Sequence, residues 1–194
     1  SDNEEADKVA VRIAELISEK TIDLSPIGFI NIHKRLFEGI YEHAGKIRNY
    51  NITKREWVLD GDTVIYGSAY SLFETLEYDL NIEKNFSYKD LNKEQLISHL
   101  ARFISNLWQT HVFLEGNTRT IAVFLIKYLN KLGFNAENNM FQDNSWYFRN
   151  ALVRANYENI QKGVYETIQY LELLLANLLF NDTNELSNEK LHIR

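Results

Sequence analysis

The chain has 194 residues, 45% of them hydrophobic, with eight glycines, one proline and no cysteine. That is enough chain for one sizeable core, it leaves no Pro/Gly-rich linker to divide it, and it excludes disulfides and thiolate metal sites. A net charge of −6 with no strongly basic stretch argues against a general nucleic-acid surface, so an anionic ligand must be met by a local positive site.

The opening SDNEEADK is acidic and polar, unlike a secretory leader. Val9, Ile13, Leu16 and Ile17 then share one face of a helix predicted within residues 1–20. Ser25-Pro26 reads as the N-cap and first position of the next helix, because proline has no N–H to lose there. That helix carries Ile30, Phe37, Ile40 and Tyr41 inward and is expected to end near Gly45.

From Ile52 to Tyr66 the pattern changes. Trp57-Val58-Leu59 and Thr63-Val64-Ile65-Tyr66 are β-prone runs on either side of Asp60-Gly61-Asp62, a turn signal, and together they predict a β-hairpin. A lone two-stranded ribbon is marginal on its own, so the hairpin is expected to stand off a helical core and offer its edge to an extended target peptide.

Ser68–Asn81 and Asn92–Thr110 supply further helices, separated by the polar Glu83–Asp90 loop. Leu96, Ile97, Leu100, Phe103, Ile104, Leu107 and Trp108 give the second of them a broad buried face. Asn117–Leu132 is apolar at Ile121, Phe124, Leu125, Tyr128 and Leu132 and is stopped by Gly133. An Asn-rich turn over 135–144 leads to Ser145 as N-cap of a helix over Trp146–Tyr157. Tyr165–Phe180 is a last apolar helix, whose apolar run Leu171 to Phe180 is too short to span a bilayer and contains Glu172, and 181–194 is a polar tail. The pattern predicts an all-α fold with a small hairpin, as one domain over 1–194. No membrane association is expected, and a cytoplasmic location is.

Between the two core helices, HVFLEGNTRT (His111 to Thr120) is where chemically capable residues interrupt the apolar pattern. Gly116, Asn117, Thr118 and Arg119 fall at the start of the second helix, where free N–H groups and the helix dipole favour an anion. Glycine there lets an anion approach the backbone, and Arg119 adds a charge suited to phosphate. Glu115 is placed to hold Mg²⁺, which takes one or two carboxylates plus phosphate oxygens. His111 supplies a base whose ordinary pKa is near neutrality. Phe113 is expected to anchor the loop in the core. Each residue has a plain alternative: a core histidine, a helix cap at Asn117, a dipole-complementing carboxylate. Their conjunction within nine residues points instead to phosphoryl or nucleotidyl transfer. His33, His43 and His99 are read as structural.

The stretch resembles the core motif of the Fic family, whose usual form is His-Pro-Phe-x-Asp/Glu-Gly-Asn-Gly-Arg-x-x-Arg. Upstream, IHKRLFEGIYEHAGKIR is similar to a second family segment, with His33, Leu36, Phe37, Tyr41, Ala44, Gly45 and Arg48 at matching places. The resemblance implies a core at about 28–180. Three positions depart: Val112 stands for proline, Thr118 for glycine and Ala122 for the second arginine, which in the family grips the γ-phosphate and pairs with an inhibitory glutamate.

The resemblance implies a protein AMP transferase. His111, Asn117 and Arg119 would be catalytic, ATP would lie over Gly116 to Arg119 with Mg²⁺ on Glu115, and the hairpin would be a flap that docks the hydroxyl-bearing target. It also suggests that Tyr147, Asn150, Arg154 and Asn156 border the nucleotide base. Rival readings are a Fic-fold enzyme that uses another donor or transfers a phosphoryl group, and a non-catalytic nucleotide- or partner-binding module. Fic proteins are commonly held off by a Ser/Thr-x-x-x-Glu-Gly/Asn helix. Only Ser1–Glu5 has the Ser/Thr-to-Glu spacing here, and Ala6 follows it, so a separate inhibitory antitoxin is expected. The family's settings also include secreted effectors.

Overall fold

The apolar run that follows the motif becomes the axis of the molecule. In the computed structural model, which describes residues 2–194, helix α5 (Asn117–Lys131) buries every residue from Thr120 to Leu129. Helices α1 (Asp2–Ser18), α2 (Pro26–Phe37) and α4 (Lys93–Thr110) all pack against it. Helix α3 (Leu72–Lys84) lies on α2 and α4, while α7 (Ser145–Ala155) and α8 (Gln169–Phe180) pair with each other and with α4. Two short helices, α6 (Asn139–Asp143) and α9 (Asn188–Leu191), sit on α7.

The helix starts follow local chemistry. Ser25 accepts the Gly28 N–H at 3.1 Å, and Pro26 begins α2. At α4, Asn92 accepts from the Gln95 N–H at 2.8 Å while the Gln95 side chain accepts from the Asn92 N–H at 3.0 Å, a reciprocal pair that satisfies two orphan donors. The end of α1 is held by a residue far away in sequence. Lys127, on the buried face of α5, donates from Nζ to the carbonyls of Leu16 (2.6 Å) and Glu19 (3.1 Å).

Three features differ from the sequence reading. Helix α2 stops at Phe37, because Gly39 adopts a left-handed φ of 80° and the chain turns down to Gly45. The Asn-rich turn contains the short helix α6, and α7 is capped by Asn144 instead of Ser145.

The hairpin is absent, since among the described residues the β pairing is one isolated bridge, Asn159 to Val164. Val58 and Leu59 are both buried, and a strand cannot send two successive side chains to one face. Residues Trp57–Leu59 therefore coil into a 3₁₀ turn, closed by Asp60 at φ 54°. The second run stays extended, with Val64 and Tyr66 buried and Ile65 exposed, but it is lashed to the end of α4. Gln109 Nε2 donates to Ile65 O at 3.1 Å, and the Gly67 N–H donates to Gln109 O at 3.1 Å.

The polar tail also folds back. Leu191 is buried, Arg154 donates to its carbonyl, Asn150 donates to Asn188 Oδ1 at 2.9 Å, and the Ile193 N–H reaches Val58 O at 3.1 Å.

Lys127→Met removes both donors at the end of α1 while keeping an apolar stem in the core. The variant is expected to lose about 1–3 kcal/mol in urea unfolding, with faster amide exchange in the last turn of α1. Wild-type stability and exchange would show that water serves those carbonyls equally well.

Candidate active site

The site begins with a helix end that needs donors. The last carbonyls of α4 have no intrahelical partner, and Arg48, itself buried, supplies them. Its Nε donates to His111 O at 2.6 Å and its Nη2 to Thr110 O at 3.2 Å and Gly67 O at 2.5 Å, while Nη1 donates to Tyr50 O at 3.0 Å. Every acceptor is a carbonyl, so the negative end of the α4 dipole takes the part a carboxylate would play. The Arg48 backbone N–H adds a bond to Val112 O at 3.0 Å.

Held in this way, His111 closes α4 in the left-handed region, at φ 51° and ψ 61°. Its Nδ1 lies 3.1 Å from Trp108 O, and a carbonyl can only accept, so Nδ1 carries the proton. Nε2 has no protein partner. The ring is 1% exposed and stacks on Tyr66 with centroids 3.8 Å apart. Burial, reinforced by the positive charges of Lys54, Arg149 and Arg48, holds its pKa well below the usual histidine value. The imidazole is therefore neutral at pH 7, with its free lone pair on Nε2.

The loop after it is braced from both sides. Asn117 Oδ1 accepts the Phe113 N–H at 3.0 Å and its Nδ2 donates to Phe113 O at 2.7 Å, so this buried side chain is a loop staple. His33 accepts the Gly45 N–H at Nδ1 (2.9 Å), which leaves Nε2–H to donate to Glu115 O at 2.9 Å. Its ring lies flat on Phe113, centroids 3.6 Å apart, and Phe113 is the buried anchor the sequence suggests. Burial pulls the His33 pKa down to about 4. Gly116 sits at φ 83°, and a Cβ there would meet Phe37 Cε2 at 2.5 Å.

At the rim the other motif residues come together around the start of α5. Glu115 and Arg119 are exposed and Thr118 is half-buried. Arg119 donates to Tyr41 Oη at 2.8 Å and lies over the Phe37 ring at 4.6 Å. Thr118 Oγ1 accepts from Trp108 Nε1 at 2.9 Å and from Arg149 Nη1 at 3.4 Å, so both lone pairs are used and its proton is left to donate. A cleft of about 290 Å³ opens beside Thr118, Arg119 and Ala122, walled by α1 through Val9 and Ile13 and by α7 through Phe148.

Several residues act on the site in ways the sequence did not mark. Arg48 and His33 bear on the motif loop from the upstream segment, Tyr66 covers the base, Lys54 and Arg149 bring charge to it, and Glu56 pairs with Arg149. Lys54 and Glu56 lie in the stretch read as a hairpin, where nothing in the local pattern marks them. The residues suggested to border a base do other work: Tyr147 donates to Tyr170 O at 2.8 Å, Asn156 to Ser105 O at 3.2 Å, and Asn150 and Arg154 hold the tail. Of the expected flap surface, Val58, Leu59 and Val64 are buried, while Trp57 and Ile65 are exposed. A regulatory motif that begins at Ser1 falls partly outside the described residues.

The helical architecture is that of Fic domains. It is similar to the Fic domain of a Bep effector from Bartonella sp. AR 15-3, with TM-score 0.71 and 18% identity over 92% of this chain and 81% of the other. It is also similar to BepC of Bartonella tribocorum with bound AMPPNP, with TM-score 0.68 and 19% identity over 91% and 84% of the two chains. A Bartonella quintana Fic domain with bound ADP matches at TM-score 0.59 and 20% identity, over 79% and 78%. At these identities the likeness fixes the fold. The Fic/DOC family sequence model matches residues 23–129, more than half of the chain, and the chain belongs to that family. No curated protein sequence matches it. No helix among the described residues is long and apolar enough to cross a membrane.

Two outcomes follow from this geometry. Gly116→Ala forces a left-handed alanine against Phe37 and is expected to cost about 2 kcal/mol or more in thermal unfolding; a neutral result would mean that the loop can shift. The second concerns pH. Unfolded His33 titrates near 6.5 and folded His33 near 4, so between those values the unfolded chain binds more protons. Stability is thus full above about pH 6.5 and falls as pH drops toward 4, with a shallower slope in His33→Gln. A slope unchanged in that variant would assign the loss to other groups.

Proposed function

We propose that this protein transfers AMP from ATP to a hydroxyl of a target protein, with His111 as general base. The observation that carries the reading is the fixed imidazole: Nδ1–H is committed to Trp108 O, and Nε2 is a neutral, unpartnered acceptor beside the start of α5. Support also comes from membership of the Fic/DOC family.

In this reading the nucleotide's phosphates lie against the free N–H groups at the start of α5, which Gly116 turns into place at a positive φ, and Arg119 and the Thr118 hydroxyl add donors. The target oxygen gives its proton to His111 Nε2 and forms a bond to the α-phosphorus as the α–β bridging P–O bond breaks, and pyrophosphate leaves. The α5 dipole and the surrounding cations stabilise the charge that builds on the phosphoryl oxygens.

Among the described residues no cluster of three or more His, Asp or Glu side chains could hold a metal by itself. Glu115, whose side chain is exposed at the rim, fits the single carboxylate that Mg²⁺ needs when phosphates supply other ligands. When bound there, Mg²⁺ would neutralise phosphate charge.

His111 is buried under Tyr66, so a target hydroxyl reaches Nε2 only when the Tyr66 ring turns aside. Target docking is thereby coupled to exposure of the base, a way to keep water from the nucleotide.

The test is transfer from ATP labelled on the α-phosphate, with the chain itself and a lysate as acceptors. Labelled protein is expected from wild type and at least about 100-fold less from His111→Ala. Label carried only by the γ-phosphate, or equal labelling by the variant, would contradict AMP transfer with this base.

A further inference from the structure

The start of α5 is short of positive charge for the ligand its backbone suits. A polyphosphate carries several negative charges, yet α5 offers only Arg119, and Ala122 leaves the cleft wall beside it apolar. Arg48 lies close by, but its donors serve four carbonyls. Arg149, from α7, is different.

Its guanidinium lies 5.9 Å over the Trp108 ring and reaches Thr118 Oγ1 through Nη1. Glu56, buried at 4% exposure, pairs with it side-on: Nε donates to Oε1 and Nη2 to Oε2, both at 2.9 Å. This pairing uses Nε and one edge of Nη2. Nη1 makes a long 3.4 Å contact to Thr118, and the guanidinium has more donors than its protein partners use. The carboxylate thus fixes the plane of the fork without closing its outer face. Near Arg149, the buried His111 Nε2 has no protein partner, and the guanidinium acts on the His111 ring through its charge and on the Tyr66 hydroxyl through both charge and a hydrogen bond. An orphaned buried ring nitrogen near a guanidinium held side-on by a buried carboxylate marks a site built for a group that is both charged and rich in acceptors.

We propose that Arg149 is the second phosphate-binding cation of this site, aimed by Glu56 and joined to the α5 N-terminus through Thr118. It supplies from α7 the charge that Ala122 does not supply from α5. Thr118 then has a purpose that glycine could not serve, because its hydroxyl accepts from the guanidinium while its backbone lies in the first turn of α5. The identity of the ligand as ATP rests on the functional reading above; the phosphate site itself does not.

The test separates binding from structure by giving the two partners of one ion pair opposite expectations. Tripolyphosphate, ATP and adenosine are titrated, with Mg²⁺, into wild type, Arg149→Gln, Glu56→Gln and the double variant, which keeps a neutral hydrogen-bonded pair should the single arginine variant fail to fold. Arg149→Gln, alone or in the double variant, is expected to weaken tripolyphosphate and ATP about 10- to 100-fold and to leave adenosine unchanged. Glu56→Gln keeps the charge and is expected to bind both phosphates as tightly as wild type or more tightly. Phosphate binding lost in Arg149→Gln, with ATP no better than tripolyphosphate, would uphold the cation and remove the nucleotide reading. The proposal is overturned if Arg149→Gln binds tripolyphosphate like wild type, if Glu56→Gln loses as much as Arg149→Gln, or if wild type binds neither phosphate.

Discussion

A buried guanidinium that faces carbonyls and no carboxylate is the constraint on which the site depends. Arg48 ties the end of α4 to the strand-like stretch before α3 and to the first residues of the motif loop. A lysine could not do this, since one ammonium cannot span acceptors that a planar fork reaches together. Because each acceptor is a dipole, the charge stays partly uncompensated, and that field bears on His111. The clamp thus orients the imidazole and, with Lys54 and Arg149, disfavours its protonation.

The same economy runs through the loop. The residues around the loop divide into two sets. Asn117, Gly116 and His33 hold the backbone: a staple to Phe113, a left-handed corner against Phe37, and a bridge from Gly45 to Glu115. Glu115, Thr118 and Arg119 stay at the rim with donors or acceptors to offer. A rigid inner set lets the outer set hold its positions without ligand, which is what electrostatic preorganisation requires. The cost is access, because the base is sealed beneath Tyr66.

Much of this was legible in the chain. Helical periodicity located α4 and α5 within a residue or two, and the motif between them named the loop. The two segments that carry the family resemblance prove to be one spatial unit: His33, Phe37, Tyr41, Gly45 and Arg48 each touch the motif loop or its support. What stayed hidden depends on distance. The 57–66 run has strand-forming residues, but burial of both Val58 and Leu59 favoured a 3₁₀ turn over pairing. The tail reads as polar because one leucine and a few hydrogen bonds from α7 suffice to dock it. Arg149 lies 31 positions from Thr118, and no local pattern connects them.

The central claim is that His111 is held as a neutral base with its lone pair on Nε2. Long-range ¹⁵N–¹H NMR of histidine-labelled protein reads this directly, from the nitrogen shifts and couplings of each ring across pH 5.5–8. The expected spectrum has His111 with a protonated Nδ1 and a bare Nε2 throughout, and His33 as the opposite tautomer. A His111 ring that takes a second proton near pH 6.5, or carries its proton on Nε2, would contradict the account at its base.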